Sequence, residues 1–289
     1  MHIPTLHLVD KFVIEGGHPL RGELAVSGSK NTALPLITAA LLPAGVSTIH
    51  NVPALRDVHT YANVLRVAGA HVAYDDAAST VTVDATRIGH PEAPYELVKQ
   101  MRASFYMLGA LVGRCGKARV SMPGGCAWGP RPVDLHLRGL EAFGATIELD
   151  GGDVVASTPA SGLPGGRFRL EPSSVGTTVN LLLAAVTARG ESVIENAAME
   201  PDVVVFAQAL VAMGARIDGI GTPTLTVQGV DALQPAAVYN PADRIELGTF
   251  MILAAMAGER GRPFEITRAQ PEHLGEAFLD AFRRTGVPF

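Results

Sequence analysis

The chain repeats itself. Val67-Ala-Gly-Ala-His-Val72, Phe143-Gly-Ala-Thr-Ile147 and Met213-Gly-Ala-Arg-Ile217 share one pattern, an apolar helix-like stretch that ends in Gly-Ala and runs into a β-rich segment. Gly69, Gly144 and Gly214 lie roughly 70 residues apart, and Gly286 marks a fourth, degenerate copy in Arg284-Thr-Gly-Val-Pro-Phe289. A glycine just past the last helical turn takes the left-handed conformation that stops a helix.

The order upstream of each mark also repeats. First comes a nearly all-apolar helix, expected at Thr32–Leu42, Ala103–Gly113, Thr177–Ala188 and Thr249–Gly258. A short strand follows at Ser47–Val52, Ala118–Met122, Ser192–Asn196 and Phe264–Thr267. Then come a Pro- and acid-containing loop and a second helix with one apolar face. In Val58–Ala68 that face is Val58, Tyr61, Ala62 and Leu65, the spacing of a surface helix. The first helices are apolar all round and are expected to be buried. Such units make an α/β fold with helices enclosed by sheets. Three complete copies form one expected domain over 30–242. Residues 1–29 and 243–289 form an expected partial second domain, because the fourth copy stops where its siblings enter a strand.

Composition narrows the function. Apolar residues make up 47% of the chain and charged residues 18%, enough for a sizeable core. A net charge of −5 argues against a nucleic-acid binder working by bulk charge, although a local cationic cluster can still hold an anionic small molecule. Two cysteines, Cys115 and Cys126, are too few for a disulfide scaffold, and a reducing, cytoplasmic setting is expected. Met1–Glu15 lacks a basic region followed by an apolar run, so no signal peptide is expected. The longest uncharged stretch, Asn31–Leu55, is broken by Pro35, Pro43, Gly45 and Pro53, and no membrane span is expected.

Four segments carry candidate chemistry. Ser27-Gly-Ser-Lys-Asn31 opens the first buried helix, where Lys30 is either an anion ligand aided by the helix dipole or a solvated side chain beside a helix cap. The Ser-x-x-Lys reading of β-lactamase-like acyl enzymes lacks its partner motifs, Ser-Asp-Asn and Lys-Thr-Gly. Pro123-Gly-Gly-Cys-Ala-Trp-Gly-Pro-Arg-Pro-Val-Asp-Leu-His136 is a glycine-rich loop offering backbone amides, the Cys126 thiol, Arg131 and Asp134. Cys115, at the end of an apolar helix, is expected to be buried and inert. His136 is expected on a helix face or as a cap, because no second metal ligand lies at a suitable spacing. Arg102 opens the second buried helix, Ser173-Ser-Val-Gly176 the third and Asp243-Arg244 the fourth, and equivalent repeat positions are expected at one cleft. Ser173–Gly176 is either an anion-binding turn or a simple serine cap. No dinucleotide fingerprint, Walker loop or His-Glu-x-x-His is present, so neither such a cofactor nor a catalytic metal is expected.

Taken in order, Ser-Gly-Ser-Lys-Asn-Thr-Ala-Leu-Pro, Met-Arg-Ala-Ser, Pro-Gly-Gly-Cys…Arg-Pro-Val-Asp-Leu-His, Ser-Val-Gly-Thr-Thr, Glu-Asn-Ala-Ala-Met-Glu-Pro and Asp-Arg-Ile-Glu-Leu-Gly-Thr-Phe closely resemble the UDP-N-acetylglucosamine enolpyruvyl transferase family. The likeness covers the whole chain, and the cysteine loop sets it apart from the shikimate-pathway relatives. The resemblance implies two domains of three βαβαββ units each. It also implies a cofactor-free transfer of the enolpyruvyl group of phosphoenolpyruvate to the 3′-hydroxyl of UDP-N-acetylglucosamine, the first committed step of peptidoglycan synthesis.

By motif, Cys126 is the expected proton donor to C3, with Lys30 and Arg102 also catalytic. Lys30, Arg102 and Arg131 are expected to hold phosphoenolpyruvate. Asn31, the run Arg131, Pro132, Val133, Asp134 and Leu135, and Pro172, Ser173, Ser174 and Val175 are expected to contact the nucleotide sugar. The chain departs from the family at Pro172, where some members carry Lys, and at Trp128 and Pro130, which stiffen the loop. The family continues for about two further units, carrying the carboxylate that deprotonates the sugar hydroxyl. A binding module that holds the nucleotide sugar without turnover is therefore the alternative.

Overall fold

The computed structural model describes residues 13–99, 101–123, 133–259 and 261–289. Strand β1 (Gly22–Ala25) leads into α1 (Lys30–Ala39), β2 (Val46–His50), α2 (Arg56–Ala68), β3 (His71–Asp75) and β4 (Thr80–Asp84). The second unit runs β5 (Glu92–Ala93), α3 (Tyr95–Val98), a 3-10 turn at Arg102–Phe105, α4 (Tyr106–Cys115), β6 (Lys117–Ser121), α5 (Asp134–Ala142), β7 (Thr146–Asp150) and β8 (Asp153–Ser157). The third is β9 (Arg167–Arg169), α6 (Val175–Ala185), β10 (Glu191–Glu195), α7 (Pro201–Ala212), β11 (Arg216–Asp218) and β12 (Thr224–Gln228). The chain then passes through β13 (Ala237–Tyr239), α8 (Arg244–Ala257), β14 (Phe264–Thr267) and α9 (Glu276–Arg283). The four marker glycines all have positive φ, from +76° at Gly286 to +106° at Gly69, as the repeat requires.

Three four-stranded sheets share one plan, with orders β13-β2-β4-β3, β5-β6-β8-β7 and β9-β10-β12-β11. In each, a short lead strand runs parallel to the strand after the first helix, and the other pairs are antiparallel. In the second and third sheets the lead strand comes from the same unit. The first sheet takes β13, from far down the chain, while β1 pairs in parallel with β14. The two lead strands are exchanged. The chain therefore crosses twice between the three-sheet body and the β1–β14 pair, at residues 26–29 and 240–243.

At that double crossing the buried Asn240 donates from Nδ2 to the carbonyls of Ser29 and Asn51, at 3.0 and 2.9 Å. The Asn51 amide returns a 2.8 Å bond to the Asn240 carbonyl. Gly28 lies against the Asn51 carbonyl with no room for a Cβ.

The apolar first helices α1, α4 and α6 are buried among the sheets, and one core cluster runs from Ala33 to Val238. A smaller cluster gathers Val26, Ala242, Leu247, Met251 and Phe282. The fourth apolar helix departs from expectation. Only Leu247, Gly248 and Met251 of α8 are buried, while Ile252 and Leu253 are exposed and Met256 is 81% exposed. Strand β14, the turn at Pro271–Leu274 and α9 pack against the side of the helix that carries Leu247, Gly248 and Met251. The second buried helix also begins later than its apolar run suggests, because Arg102–Phe105 winds as a 3-10 turn before α4 starts.

Helices α4 and α6 touch backbone to backbone. A Cβ on Gly109 would overlap the Asn180 carbonyl, and one on Gly113 would sit 2.7 Å from the Leu183 carbonyl. Asn180, fully buried, accepts from the Gly109 N–H at 2.7 Å. Gly109→Ala should therefore force the helices apart and cost about 1–3 kcal/mol in urea denaturation. Gly89→Ala, in open space, should stay within about 0.5 kcal/mol of the parent.

Candidate functional site

The buried helices run in one direction, so their N-terminal ends meet. There a cleft of about 340 Å³ is lined by Asn31 and Leu34 of α1, Arg102 and Ala103 of the 3-10 turn, and Phe105, Tyr106 and His136. Ser174, Val175 and Gly176 at the head of α6, Asp202 of α7 and Arg244 of α8 complete the wall. Ser174 caps α6, its hydroxyl accepting from the Thr177 N–H at 3.2 Å. The serine is thus both a cap and part of the cleft. Ser29 caps α1 in the same way, and Asp243 caps α8 through the Ile245 and Glu246 N–H groups. Helix starts present unpaired N–H groups and a partial positive charge, which suits an anion.

Asp202 organises the charged side of the cleft. Its carboxylate accepts from Thr32 Oγ1 at 2.6 Å, Ser29 Oγ at 3.1 Å and Arg244 Nε at 2.9 Å. Burial pushes this carboxyl up, but the hydrogen bonds from Thr32, Arg244 and Ser29 outweigh it and hold it below the usual carboxylate range. Asp202 belongs to the three-sheet body and Arg244 to the helix beyond the crossing, so the ion pair joins the two.

Two titratable groups of the wall, His136 and Tyr106, are neutral near neutral pH. His136 Nδ1 lies 2.9 Å from the Asn180 side-chain amide, and the ring meets Phe105 edge-on. Burial, aided by the positive charge of Arg102, lowers the imidazole to about 3. The Tyr106 phenol is raised to about 12, chiefly by burial, with Arg102 acting against it. Arg102 itself is exposed at the cleft mouth, and its charge is felt by both groups.

The expected site residues divide. Asn31, Arg102, Ser174 and Val175 line the cleft together. Lys30 is half-buried beside it, with Nζ 3.2 Å from Asp57 Oδ2. Val133 is buried just ahead of α5, Asp134 is exposed on its first turn, and Leu135 packs against the core. Pro172 and Ser173 are exposed on the approach to Ser174. Cys126, Arg131 and Pro132 lie outside the described residues. The segment carrying them returns at Val133, three residues before His136 of the cleft wall.

Cys115 is half-buried at the end of α4, at the opposite end of the helices, and its thiol is pushed up chiefly by burial. Asp202 and Tyr106 were missing from the sequence-based set. Glu200-Pro-Asp202 reads as an ordinary helix start, and Tyr106 as one more aromatic in an apolar run. Among the described residues no group of three His, Cys, Asp or Glu is placed to hold a metal ion, and no helix is long and apolar enough to cross a membrane.

The buried His136 gives a pH signature. The unfolded imidazole takes up a proton as pH falls below about 6.5, while the folded one refuses it until about 3. Over that window stability should fall by on the order of 1 kcal/mol per pH unit from this group alone. Urea midpoints of the parent and His136→Gln, compared at about pH 7 and about pH 4, should show the smaller loss in the variant.

Residues 14–284 match the family described as EPSP synthase (3-phosphoshikimate 1-carboxyvinyltransferase). The chain is 50% identical over 279 residues to the UDP-N-acetylglucosamine 1-carboxyvinyltransferase of Chloroherpeton thalassium, covering 96% of this chain and 64% of that protein. The crystal structure of the enolpyruvyl transferase NikO from Streptomyces tendae superposes with a TM-score of 0.82 at 28% identity, covering 95% of this chain and 64% of that one. EPSP synthase from Acinetobacter baumannii shares the fold, with a TM-score of 0.74 at 18% identity over 94% of this chain and 61% of that one. The chain thus spans just under two thirds of the length of these relatives. Its repeated units, its motifs and the extent of the match agree, and the chain belongs to the EPSP synthase (3-phosphoshikimate 1-carboxyvinyltransferase) family.

Proposed function

We propose that this chain takes part in transferring the enolpyruvyl group of phosphoenolpyruvate to the 3′-hydroxyl of UDP-N-acetylglucosamine, releasing phosphate in the cytoplasm for peptidoglycan synthesis. The observation that carries this reading is one cleft shared by Asn31, Arg102, Arg244 and the capped start of α6, a setting suited to substrates rich in negative charge. The choice of nucleotide sugar rests on the curated relatives that bear that substrate in their names. We further read the chain as a three-unit domain over 30–242 joined by the double crossing to part of a second, formed by 1–29 and 243–289. The two separate apolar clusters support that division.

In this mechanism the sugar oxygen attacks C2 of phosphoenolpyruvate and Cys126 protonates C3. Loss of a proton and of phosphate from the tetrahedral intermediate then restores the double bond. Lys30, Arg102 and Arg131 hold the carboxylate and phosphate, and Asn31, Val133, Asp134, Leu135, Pro132 and Pro172–Val175 hold the nucleotide sugar. Cations fixed beside a dry cleft stabilise the anionic intermediate more than water does. A thiol serving as an acid must keep its proton until that step.

The test is phosphate release from phosphoenolpyruvate, with saturable binding of UDP-N-acetylglucosamine followed by calorimetry. Release should require UDP-N-acetylglucosamine, and Cys126→Ala should lower it by at least about 100-fold. Release driven by 3-phosphoshikimate instead would overturn the substrate assignment. Undiminished turnover in Cys126→Ala would overturn the assigned acid. Binding without release would favour the binding-module reading, which the partial span of the relatives' length keeps open.

A further inference from the structure

The far ends of the buried helices enclose a second cavity, of about 440 Å³, that the proposed reaction does not use. It lies between Leu42 after α1, Gly113–Gly116 at the end of α4, Thr158–Ala160, and Thr187 and Arg189 after α6. Helix C-termini ordinarily repel anions, because their last carbonyls carry partial negative charge. Here several of those carbonyls already accept hydrogen bonds. Val112 O accepts from Gly116 N–H, Gly113 O from Thr187 Oγ1 and Gly116 O from Thr158 N–H. At α6, Leu182 O accepts from Val186 N–H, Ala185 O from Ala188 N–H and Val186 O from Val230 N–H.

Two cationic side chains line the same space. Arg114 is half-buried in the cavity wall and makes no hydrogen bond or ion pair among the described residues. Arg189 is held by the Ser161 carbonyl at 2.7 Å and by the outward Asp231 at 3.1 Å, an arrangement that fixes its guanidinium at the rim. The cavity lining thus carries two arginines, Arg114 and Arg189, against one carboxylate, Asp231, itself 96% exposed, and its formal charge is positive. The charge reaches inward, since Arg114 and Lys117 both act on the Cys115 thiol against the effect of burial. The volume suits a small organic ligand rather than a bare ion.

We propose that this cavity is a second anion site, taking the phosphate group of a small phosphorylated metabolite between Arg114 and Arg189. A planar guanidinium binds phosphate through paired N–H donors, and two of them suit a dianion better than a single carboxylate. The inference goes beyond the proposed reaction, because the site lies at the other end of the helices from the cleft.

Cys115 lines the same cavity and serves as its reporter. Its alkylation by negatively charged iodoacetate and by neutral iodoacetamide would be followed by mass spectrometry of its own peptide, which keeps Cys126 out of the signal. Both reagents meet the same thiolate, so the ratio of their rates reads the local field and cancels any change in thiol ionisation. The ratio should fall by about threefold or more in Arg114→Gln. Inorganic phosphate should slow both reagents in the parent more than acetate or chloride does at equal ionic strength, and should lose that advantage in Arg114→Gln. Arg189→Gln, on a 63% exposed side chain, repeats the test without touching the core. A ratio unchanged in both variants, or protection by phosphate no greater than by chloride, would overturn the proposal. Calorimetric binding of UDP-N-acetylglucosamine should be the same in parent and variants, so the outcome here is independent of the cleft's assignment.

Discussion

The architecture depends on how closely three apolar helices approach inside the body. Gly109 and Gly113 let α4 lie on α6 with the Asn180 and Leu183 carbonyls where side chains would otherwise stand. Asn180 then spends its amide on that contact, bonding Gly109, the Phe105 carbonyl and His136. Because α1, α4 and α6 are equivalent helices of successive repeats, they point the same way. Their starts gather on one face and their ends on the other, so one packing decision creates both the cleft and the opposite cavity. The two differ in the backbone groups they present, N–H donors at the helix starts and carbonyls, several of them already bonded, at the helix ends.

A second constraint links that body to the rest of the chain. The exchange of β1 and β13 means that neither lead strand pairs within its own unit. Both crossing segments are tied together by Asn240, and Gly28 is needed because the Asn51 carbonyl occupies the space beside it. Just above this knot Asp202 collects Ser29, Thr32 and Arg244. Such a buried carboxylate would be costly alone, and three donors make it tolerable while aligning the Arg244 guanidinium with the cleft. The charged wall of the cleft is therefore set by the same contacts that hold the crossing.

The cleft also separates charge from neutrality. His136 and Tyr106 are buried against Phe105, Asn180 and the helix starts, so neither ionises near neutral pH. Arg102 is exposed at the cleft mouth, and Arg244 is paired with Asp202. A substrate entering this space meets fixed cations against a wall whose other titratable groups hold a constant protonation state.

Much of this was written locally. The Gly-Ala marks, the apolar first helices and the amphipathic Val58–Ala68 stretch fix the repeat, because helix termination and burial follow from residue type and spacing within one unit. The motifs at Ser27–Asn31, Arg102 and Ser173–Gly176 follow too, since each opens a buried helix and equivalent ends must meet. What tertiary structure alone decided involves partners far apart in sequence. The exchange of β1 and β13, the Asp202–Arg244 pair and the Asn180–His136 contact each join residues whose local patterns are those of ordinary strands and helix starts. The partial burial of α8 belongs there as well: an apolar helix records its own preference, and only its neighbours determine how many of its sides are covered.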